Sequence, residues 1–203
     1  RHHLPLFLSS SIRCFVSVYD LVWRRFPGTM TRLGYLQEKL LMSKSLRKAD
    51  VILAISNFTK SEITSVYPVE VAKVEVVEGA SSFSVDSSIE TNAERYFLFV
   101  GTIEPRKNIE RLLFAYSMYI STVDDIVPLK IVGGIGWGDI SVEKYIDEYR
   151  LGNYVECVGC VADDELEILY KNAYALLMPS LYEGFGLPLV EAMNFGVPAI
   201  VSA

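Results

Sequence analysis

Two carboxylates flank a predicted strand-to-helix turn in residues 180–191 (SLYEGFGLPLVE). Glu183 lies in the turn, and Glu191 follows one turn into the helix, where Pro188 suits the first helical positions. The two acids are too far apart to stack as helix neighbours, but they can flank a ligand that lies across the helix start. Because carboxylates accept hydrogen bonds from sugar hydroxyls, the pair predicts a sugar site. In the alternative, Glu191 only complements the helix dipole and Glu183 is an exposed turn residue.

Two adjacent cations precede another predicted helix. Arg106 and Lys107 lie in residues 101–108 (GTIEPRKN), after a strand and at the start of a helix. Open α/β sheets bind ligands at the carboxyl ends of their strands. A diphosphate there would meet Arg106 as a fork donor, Lys107 as a point charge and the positive end of the helix dipole, and Gly101 would permit close backbone approach. A solvated Arg-Lys pair in a loop is the alternative.

Apolar runs without alternation recur along the chain, as is typical of strands covered by helices on both faces. They alternate with segments of helical periodicity, so the sequence predicts an α/β fold with parallel sheets. The predicted strands are residues 51–55, 73–77, 96–100, 129–132, 155–158, 175–178 and 199–201. The predicted helices are residues 58–66, 108–120, 142–149, 163–172 and 188–195.

A change of composition predicts two domains. Residues 83–94 are mostly polar with little apolar periodicity, so we interpret them as a linker. Residues 1–82 hold too few predicted strands for a complete sheet and would be the C-terminal part of a first α/β domain. Residues 95–203 would be most of a second, ligand-binding domain that lacks its last elements. We therefore expect a fragment of a two-domain protein.

The composition is that of a globular protein and disfavours several partners. Of 203 residues, 51% are hydrophobic and 22% are charged, and the net charge of −6 would repel nucleic acid. No apolar run reaches the ~18 residues of a membrane-spanning helix, and the first residues lack the features of a secretory signal. An odd count of three cysteines fits a reducing compartment. We predict a soluble, cytoplasmic protein without a nucleic-acid partner.

Two further motifs are weak signals. Cys157 and Cys160 form a C-x-x-C without a second pair, which favours small apolar residues at a strand end over a metal or redox site. Residues 133–138 (GGIGWG) follow a strand but lack the G-x-G-x-x-G spacing, so they serve either turn flexibility or close backbone approach to a ligand. The sequence holds no Asp-x-Asp motif and no His or Cys cluster, so no metal is expected.

Several of these segments together resemble one enzyme family, the retaining glycosyltransferases of the GT-B fold and specifically the large family 4 of sugar-nucleotide-dependent enzymes. Glu183 and Glu191 match its Glu-x7-Glu signature. Residues 99–108 match its donor-phosphate loop, and residues 54–60 (AISNFTK) match its Ser-x-Phe-[ST]-[KR] segment. The likeness covers residues 18–203 and implies two Rossmann-like parallel-sheet domains, the first only partly present.

By this resemblance, Arg106 and Lys107 would neutralise the donor diphosphate as the glycosidic bond breaks, without a metal. Glu183 would contact the transferred sugar, and Glu191 would hold the ribose hydroxyls. Gly101 and the glycine-rich turn would approach the donor through their backbone; the turn residues are Gly184, Phe185, Gly186 and Leu187. No cofactor is implied, because the nucleotide sugar, for example GDP-mannose, is the substrate.

One position departs from the family pattern. Tyr19 precedes Asp20 and Leu21 where many members carry His-Asp-Leu, whose His approaches the donor sugar. The resemblance therefore gives no His a catalytic role here. Asp20 is either a catalytic residue or a structural or acceptor-side carboxylate.

The resemblance implies transfer of a sugar, with a preference for mannose, from a nucleoside diphosphate sugar to a hydroxyl of a glycan or lipid-linked acceptor in surface polysaccharide synthesis. Anomeric configuration would be retained, with the leaving phosphate as base and no protein nucleophile. Two alternatives stay open. One is a nucleotide-sugar epimerase or hydrolase on the same fold, and the other is a non-catalytic nucleotide-sugar-binding module.

Residues 31–49 predict a basic amphipathic helix. They carry Glu38 as their one acid, with leucines at helical spacing and several cations: Leu33, Leu36, Leu40 and Leu41, and Arg32, Lys39, Lys44, Arg47 and Lys48. We expect this helix to pack on its own domain with a solvated basic face. Peripheral contact with anionic lipid is the alternative.

Overall fold

The chain forms two compact units in a computed structural model that describes residues 12–83, 95–138 and 140–202. The first unit comprises Arg1–Gly79 and Tyr182–Gly186, and the second comprises Ala80–Leu181 and Leu187–Ala203. Each unit contains a parallel β-sheet. The predicted α/β class with parallel sheets is therefore confirmed.

The sheet of the first unit has the order β1-β2-β3, with all pairings parallel. Its strands are β1 (Phe15–Val18), β2 (Val51–Ala54) and β3 (Val74–Val76). Its helices are α1 (Val22–Arg25), α2 (Arg32–Lys48) and α3 (Asn57–Val66). Alternate strand residues and one face of α2 and α3 form the core, which includes Val16, Val18, Met42, Leu46, Ile52, Ala54 and Ile63.

The apolar runs of the sequence do not predict β1. Only Val16 and Val18 of this strand are buried, whereas Phe15 and Ser17 are exposed, and among the strands that the structure describes β1 lies at the edge of the sheet. An edge strand with one solvated face alternates, and four residues give too short an alternation to stand out.

The helix α2 packs on its own unit, as expected, but most of its leucines do not face the core. Leu33, Leu36 and Leu40 are 73%, 50% and 57% exposed. The face that packs into the core holds Met42 and Leu46 instead. The helix is where the sequence predicts it, but most of its predicted apolar stripe lies on the outside.

The sheet of the second unit has the order β6-β5-β4-β7-β8, again with parallel pairings. Its strands are β4 (Tyr96–Val100), β5 (Leu129–Val132), β6 (Val155–Gly159), β7 (Ala173–Met178) and β8 (Ala199–Val201). Its helices are α4 (Ile109–Ile120), α5 (Val142–Glu148), α6 (Asp163–Lys171) and α7 (Leu187–Asn194). All of these elements lie within one or two residues of their predicted bounds.

The central strand β4 separates two cores. Leu98 and Phe99 are adjacent in sequence, both almost fully buried, and belong to different clusters. Neighbouring residues of a strand point to opposite faces, so each face of the sheet is covered. The strand order runs outward from β4 to β5 and β6 on one side and to β7 and β8 on the other. This reversal makes the carboxyl ends of β4 and β7 the switch point where such sheets bind ligands.

Most of the predicted linker, residues 84–94, lies outside the described residues. Phe83, at its start, packs in the second unit against the rings of Tyr170 and Phe195. Asn194 donates a side-chain hydrogen bond of 3.0 Å to the Phe83 carbonyl. The chain is thus anchored in the second unit before the polar stretch begins.

The C-x-x-C pair forms no disulfide, since Cys157 and Cys160 are both free and exposed. Gly159 between them ends β6 with a φ of +82°, which is the turn that the sequence predicts. None of the helices in the described part of the chain combines the length and apolar character needed to cross a bilayer.

Candidate functional site

The loops that follow β4 and β7 in the second unit are tied together at the switch point. The backbone N–H of Leu181 donates to the carbonyl of Arg106 at 2.9 Å. The side-chain amide of Asn108 donates to the carbonyl of Pro179 at 3.1 Å. Asn108 itself has a left-handed backbone (φ +57°) immediately before α4, a conformation that Asn tolerates better than most residues. The predicted cationic loop is therefore held by backbone and side-chain hydrogen bonds.

Lys107 is buried at the end of β4, not solvated in a loop. Lys107 ends the short 3₁₀ turn Pro105–Lys107, and the residue is only 7% exposed. It passes close to Gly101, where an added Cβ would lie 3.2 Å from Cε and 3.4 Å from Nζ of Lys107. Gly101 also has a φ of +151°. The glycine thus makes room for the lysine ammonium at the switch point.

Arg106 forms an ion pair with Glu104, a residue that the sequence reasoning did not place in the site. The distance from Nη2 of Arg106 to Oε1 of Glu104 is 2.6 Å, and the two side chains are 15% and 2% exposed. A guanidinium has five N–H donors, so one carboxylate orients it without exhausting its capacity for a phosphate. The sequence shows Glu104 two positions before Arg106, but it does not show that the glutamate is buried.

The glycine run after β5 packs against the cationic loop. An added Cβ at Gly133 would lie 2.1 Å from the carbonyl oxygen of Gly101, and Gly133 has a φ of +141°. The N–H of Gly136 donates to the carbonyl of Ile103 at 3.0 Å. Close approach of the two backbones therefore requires glycine at position 133, and the positive φ values of Gly133 and Gly138 agree with the predicted turn flexibility.

Glu191 on α7 is held by a phenol. The hydroxyl of Tyr170 on α6 donates to Oε2 of Glu191 at 2.7 Å. The Tyr170 side chain is fully buried, and burial, followed by the hydrogen bond to Glu191, raises its pKa well above the usual range. The phenol therefore stays protonated and orients a partly exposed carboxylate that retains acceptor capacity for a ligand. Nothing in the sequence marks Tyr170 as the partner of Glu191.

The other half of the Glu-x7-Glu segment belongs to the first unit. Tyr182 is buried, and its hydroxyl accepts a hydrogen bond of 3.0 Å from the N–H of Leu21. The same hydroxyl donates to Glu62 on α3, which is also buried and forms an ion pair with Arg25. Burial, followed by the hydrogen bond to Glu62, raises the pKa of Tyr182. Neither Tyr182 nor Glu62 was predicted.

Gly184 lies directly against the backbone of the β1–α1 loop. An added Cβ at Gly184 would lie 1.8 Å from the carbonyl oxygen of Tyr19. The carbonyl of Gly184 accepts a hydrogen bond of 2.6 Å from the hydroxyl of Ser56, the N-cap residue of α3. Glu183, between Tyr182 and Gly184, is partly buried. The first unit therefore fixes the backbone on both sides of this carboxylate.

Asp20 has a structural contact in the first unit. Its Oδ1 accepts a hydrogen bond of 3.1 Å from the N–H of Val22, at the start of α1. Tyr19, which replaces the family histidine, has an exposed side chain. Asp20 thus orders the beginning of α1, whatever else it contacts.

The predicted site residues divide between the two units. The second unit holds Gly101, Arg106, Lys107, Leu187 and Glu191, and the first holds Asp20, Glu183, Gly184, Phe185 and Gly186. No group of three or more His, Cys, Asp or Glu side chains arranged to bind a metal occurs among the residues that the structure describes.

The parallel sheet of the second unit, whose strand order reverses at β4 and β7 and which carries a cationic loop there, defines the class of doubly wound α/β proteins. Within this class, residues 83–203 match the family described as glycosyl transferases group 1, and the chain belongs to that family. The family resemblance inferred from the sequence motifs is confirmed.

Two curated relatives and one solved structure show the range of the likeness. The chain is 32% identical to O-antigen chain mannosyltransferase B of Escherichia coli, over 84% of this chain and 47% of that protein. It is 31% identical to O-antigen chain mannosyltransferase RfbU of Salmonella typhimurium, over 99% and 54%. The fold is similar to that of a Staphylococcus aureus TarM mutant, solved in complex with fondaparinux, alpha-GlcNAc-glycerol and UDP. That match has a TM-score of 0.74 and 17% identity and covers 93% of this chain and 36% of TarM.

These likenesses confirm the predicted GT-B glycosyltransferase fold. The chain spans about half the length of the curated relatives it matches.

Proposed function

We propose that this chain is part of a retaining glycosyltransferase that moves a sugar from a nucleoside diphosphate sugar to an acceptor hydroxyl. The observation that carries the proposal is the buried Lys107 ammonium beside Gly101, next to the oriented Arg106, at the switch point of the second unit. Two adjacent cations at the carboxyl ends of the central strands, where open α/β sheets bind ligands, favour an anionic ligand. The membership of the chain in glycosyl transferases group 1 agrees with a diphosphate as that anion.

Each predicted residue receives a role in this reaction. Arg106 and Lys107 stabilise the negative charge that develops on the departing diphosphate, and Glu191 accepts hydrogen bonds from the ribose. Glu183 contacts the transferred sugar. Fixed donors of this kind act where charge develops, and removing one typically lowers kcat by about 10²–10³. Gly101 and the backbone of residues 184–187 provide close approach to the donor.

The reaction needs no metal and no protein nucleophile in this proposal. The acceptor hydroxyl attacks the face of the sugar from which the diphosphate leaves, and an oxygen of the leaving phosphate takes the proton. Asp20 is the residue proposed for the acceptor side, with its hydrogen bond to Val22 N–H fixing the carboxylate.

In its most specific form, the proposal names GDP-mannose as the donor and a glycan or a lipid-linked sugar of a surface polysaccharide as the acceptor. This preference is supported by relatives named as mannosyltransferases, two of them for O-antigen chains. The same names favour transfer over epimerisation, hydrolysis or mere binding. Incubation with the donor alone separates these, because an epimerase or hydrolase turns over without an acceptor.

A thermal-shift panel of nucleotide sugars and free nucleotides tests the donor site. One donor at a hundredfold excess over its Kd should raise the Tm of the parent by roughly 5–10 °C. Arg106→Ala and Glu191→Ala should lose most of that shift. The proposal fails if no nucleotide or nucleotide sugar stabilises the parent.

The outer face of α2 supports a peripheral contact with anionic lipid as part of the same function. Three leucines are exposed there, and the exposed charges of the helix are all basic: Arg32, Lys39, Lys44, Arg47 and Lys48. Apolar insertion combined with basic residues is the usual form of such contacts, and a lipid-linked acceptor would give it a purpose.

Flotation with vesicles tests this contact. The parent should float with vesicles of phosphatidylcholine mixed with phosphatidylglycerol and not with phosphatidylcholine alone. Replacing Leu33, Leu36 and Leu40 by serine should abolish flotation, whereas the same change at the exposed Met118 of α4 should not. Equal flotation of parent and triple variant would exclude this surface.

A further inference from the structure

Three polar residues of the first unit lie in one row on α3. Ser56 is the N-cap of the helix, and Thr59 and Glu62 follow at intervals of three residues, so their side chains share one face. Thr59 and Glu62 are almost completely buried. Buried polar side chains in a row need partners, and each of these three has a partner in Tyr182–Gly186.

Ser56 and Thr59 hold the carbonyl of Gly184. The hydroxyl of Ser56 donates to this oxygen at 2.6 Å and accepts the N–H of Thr59 at 3.0 Å, so one side chain caps the helix and binds the loop. The hydroxyl of Thr59 lies 3.3 Å from the Gly184 oxygen and 3.3 Å from the Tyr19 oxygen. A single hydroxyl thereby links the two backbone segments that a side chain at Gly184 would push apart.

Glu62 holds the other end of the loop through Tyr182. Its carboxylate accepts the Tyr182 hydroxyl on one oxygen and Nε of Arg25 on the other. The Tyr182 ring lies between Phe26 and Phe58, with both ring centroids 5.9 Å away. The phenol therefore has a fixed position, and Arg25 supplies the charge that a buried carboxylate requires.

From these contacts we propose that Ser56, Thr59 and Glu62 are positioning residues for the Glu183 carboxylate, and this inference depends on the proposed function. Glu183 lies between two residues that α3 holds, so its backbone has little freedom. Precise placement matters, because a carboxylate displaced by about 1 Å loses much of its effect on a reacting sugar. The row on α3 thus acts on the sugar through Glu183 and does not touch it.

The alternative is that the row only stabilises the fold of the first unit. The two cases differ in which ligand they affect. A positioning defect at Glu183 weakens binding of the nucleotide sugar but not of the nucleoside diphosphate, since only the former carries the sugar. A purely structural defect lowers the Tm and changes both affinities alike or neither.

The experiment compares Ser56→Ala/Thr59→Val with Ser61→Ala/Thr64→Val in the full chain. The control pair makes the same chemical changes on the same helix, where Ser61 is exposed and the Thr64 hydroxyl bonds only to carbonyls of its own helix among the described contacts. Titration calorimetry measures Kd for GDP-mannose and GDP, with UDP-glucose and UDP as a second ligand pair. Thr59→Ser retains the hydroxyl and serves as the conservative variant.

We expect the Ser56/Thr59 variant to raise Kd for the nucleotide sugar about fivefold to tenfold and Kd for the matching diphosphate less than twofold. The control pair and Thr59→Ser should stay within twofold for both ligands. Glu62→Gln, which keeps an acceptor for Tyr182, should show the same selectivity with a smaller change, and it replaces the double variant if that variant does not fold.

Equal changes in both affinities, or none, would overturn the positioning role while leaving the proposed function intact. If the parent binds none of the four ligands and no member of the thermal-shift panel, the proposed function fails and the positioning role fails with it. The two failures are therefore distinguishable in one set of titrations.

Discussion

Each unit contains a tyrosine whose phenol donates a hydrogen bond to a carboxylate, but the Glu-x7-Glu segment supplies a different partner in each pair. In the first unit, the Glu-x7-Glu segment supplies the phenol of Tyr182, and the scaffold supplies Glu62. In the second, the segment supplies the carboxylate of Glu191, and the scaffold supplies the buried Tyr170. The same bond thus anchors a loop in one unit and orients the proposed ligand-binding acid in the other.

The surroundings of the two carboxylates explain the difference. Glu62 is 3% exposed and paired with Arg25, so its charge is compensated within the unit. Glu191 is partly exposed, and the Tyr170 phenol that donates a hydrogen bond to it is neutral and supplies no positive charge. A carboxylate oriented in this way can bind hydroxyls of a ligand directly, whereas a buried and compensated one can act only through the segment that it holds. The comparison predicts that substitutions at the first pair affect folding more, and at the second pair binding more.

The largest effect is expected at the loop that the first pair anchors. Gly184→Ala places a methyl group 1.8 Å from the backbone oxygen of Tyr19, so the loop must move. We expect a loss of about 3 kcal/mol or more in the free energy of unfolding, measured by urea denaturation. Gly28→Ala in the same unit is the control, because its Cβ meets nothing within 4 Å. Equal stabilities of the two variants would contradict the described loop packing.

Truncating the two carboxylates should separate stability from binding. Glu62→Ala leaves the buried Tyr182 hydroxyl without its acceptor, at a cost of about 2–3 kcal/mol. Glu191→Ala should cost about 1 kcal/mol or less but abolish the thermal shift produced by the donor. Chemical denaturation and the ligand panel measure the two quantities. A Glu191→Ala variant that is as unstable as Glu62→Ala would remove the contrast between the pairs.

Alkaline pH should destabilise both units through their buried phenols. A free tyrosine titrates near pH 10, and burial raises the pKa of Tyr170 and of Tyr182 in the folded chain. The stabilisation is complete below pH 10 and is lost as the pH rises above 10 toward the folded pKa. Each phenol contributes a slope of about 1.4 kcal/mol per pH unit in that window. Tyr170→Phe and Tyr182→Phe should each reduce the slope measured between pH 10 and 11, and an unchanged slope in both would contradict the assignment.

The smallest effect is expected for Tyr170→Phe at neutral pH. The ring remains and Glu191 loses one hydrogen bond, so stability should fall by about 1 kcal/mol. Donor affinity should also fall, because the carboxylate is no longer oriented. Tyr174→Phe removes a hydroxyl from a half-exposed ring of the same unit and should change neither quantity. A donor Kd unaffected by Tyr170→Phe would mean that Glu191 needs no orientation.

The sequence predicts the second unit far better than the first. Both faces of β4 and its neighbours are covered, so continuous apolar runs mark them, and their bounds agree with the structure within one or two residues. The edge strand β1 buries only two side chains and is not predicted. The helix α2 is predicted, but helical spacing of leucines does not reveal which face packs inward.

The candidate site shows a similar limit. Arg106, Lys107, Glu183 and Glu191 stand out because charged residues next to glycines in strand-to-helix turns are visible locally. The contacts that fix them do not stand out, since Tyr170 and Glu191 are 21 residues apart in the chain, and Glu62 and Tyr182 are 120 residues apart. Local pattern thus identifies the residues proposed to contact a ligand, while the residues that orient them are identified only by tertiary contacts.

The first unit is formed by two segments that are separate in the sequence, which limits how chimeras with homologous proteins can be built. The polypeptide leaves the second unit after Leu181 and re-enters it at Leu187. A single crossover between two homologues, placed between residues 79 and 182, would therefore combine the Tyr182–Gly186 loop of one parent with the other parent's α3 residues that bind it. Exchanging this loop together with residues 12–79 would keep the loop with the Ser56 and Thr59 hydroxyls and the Glu62 carboxylate that bind it.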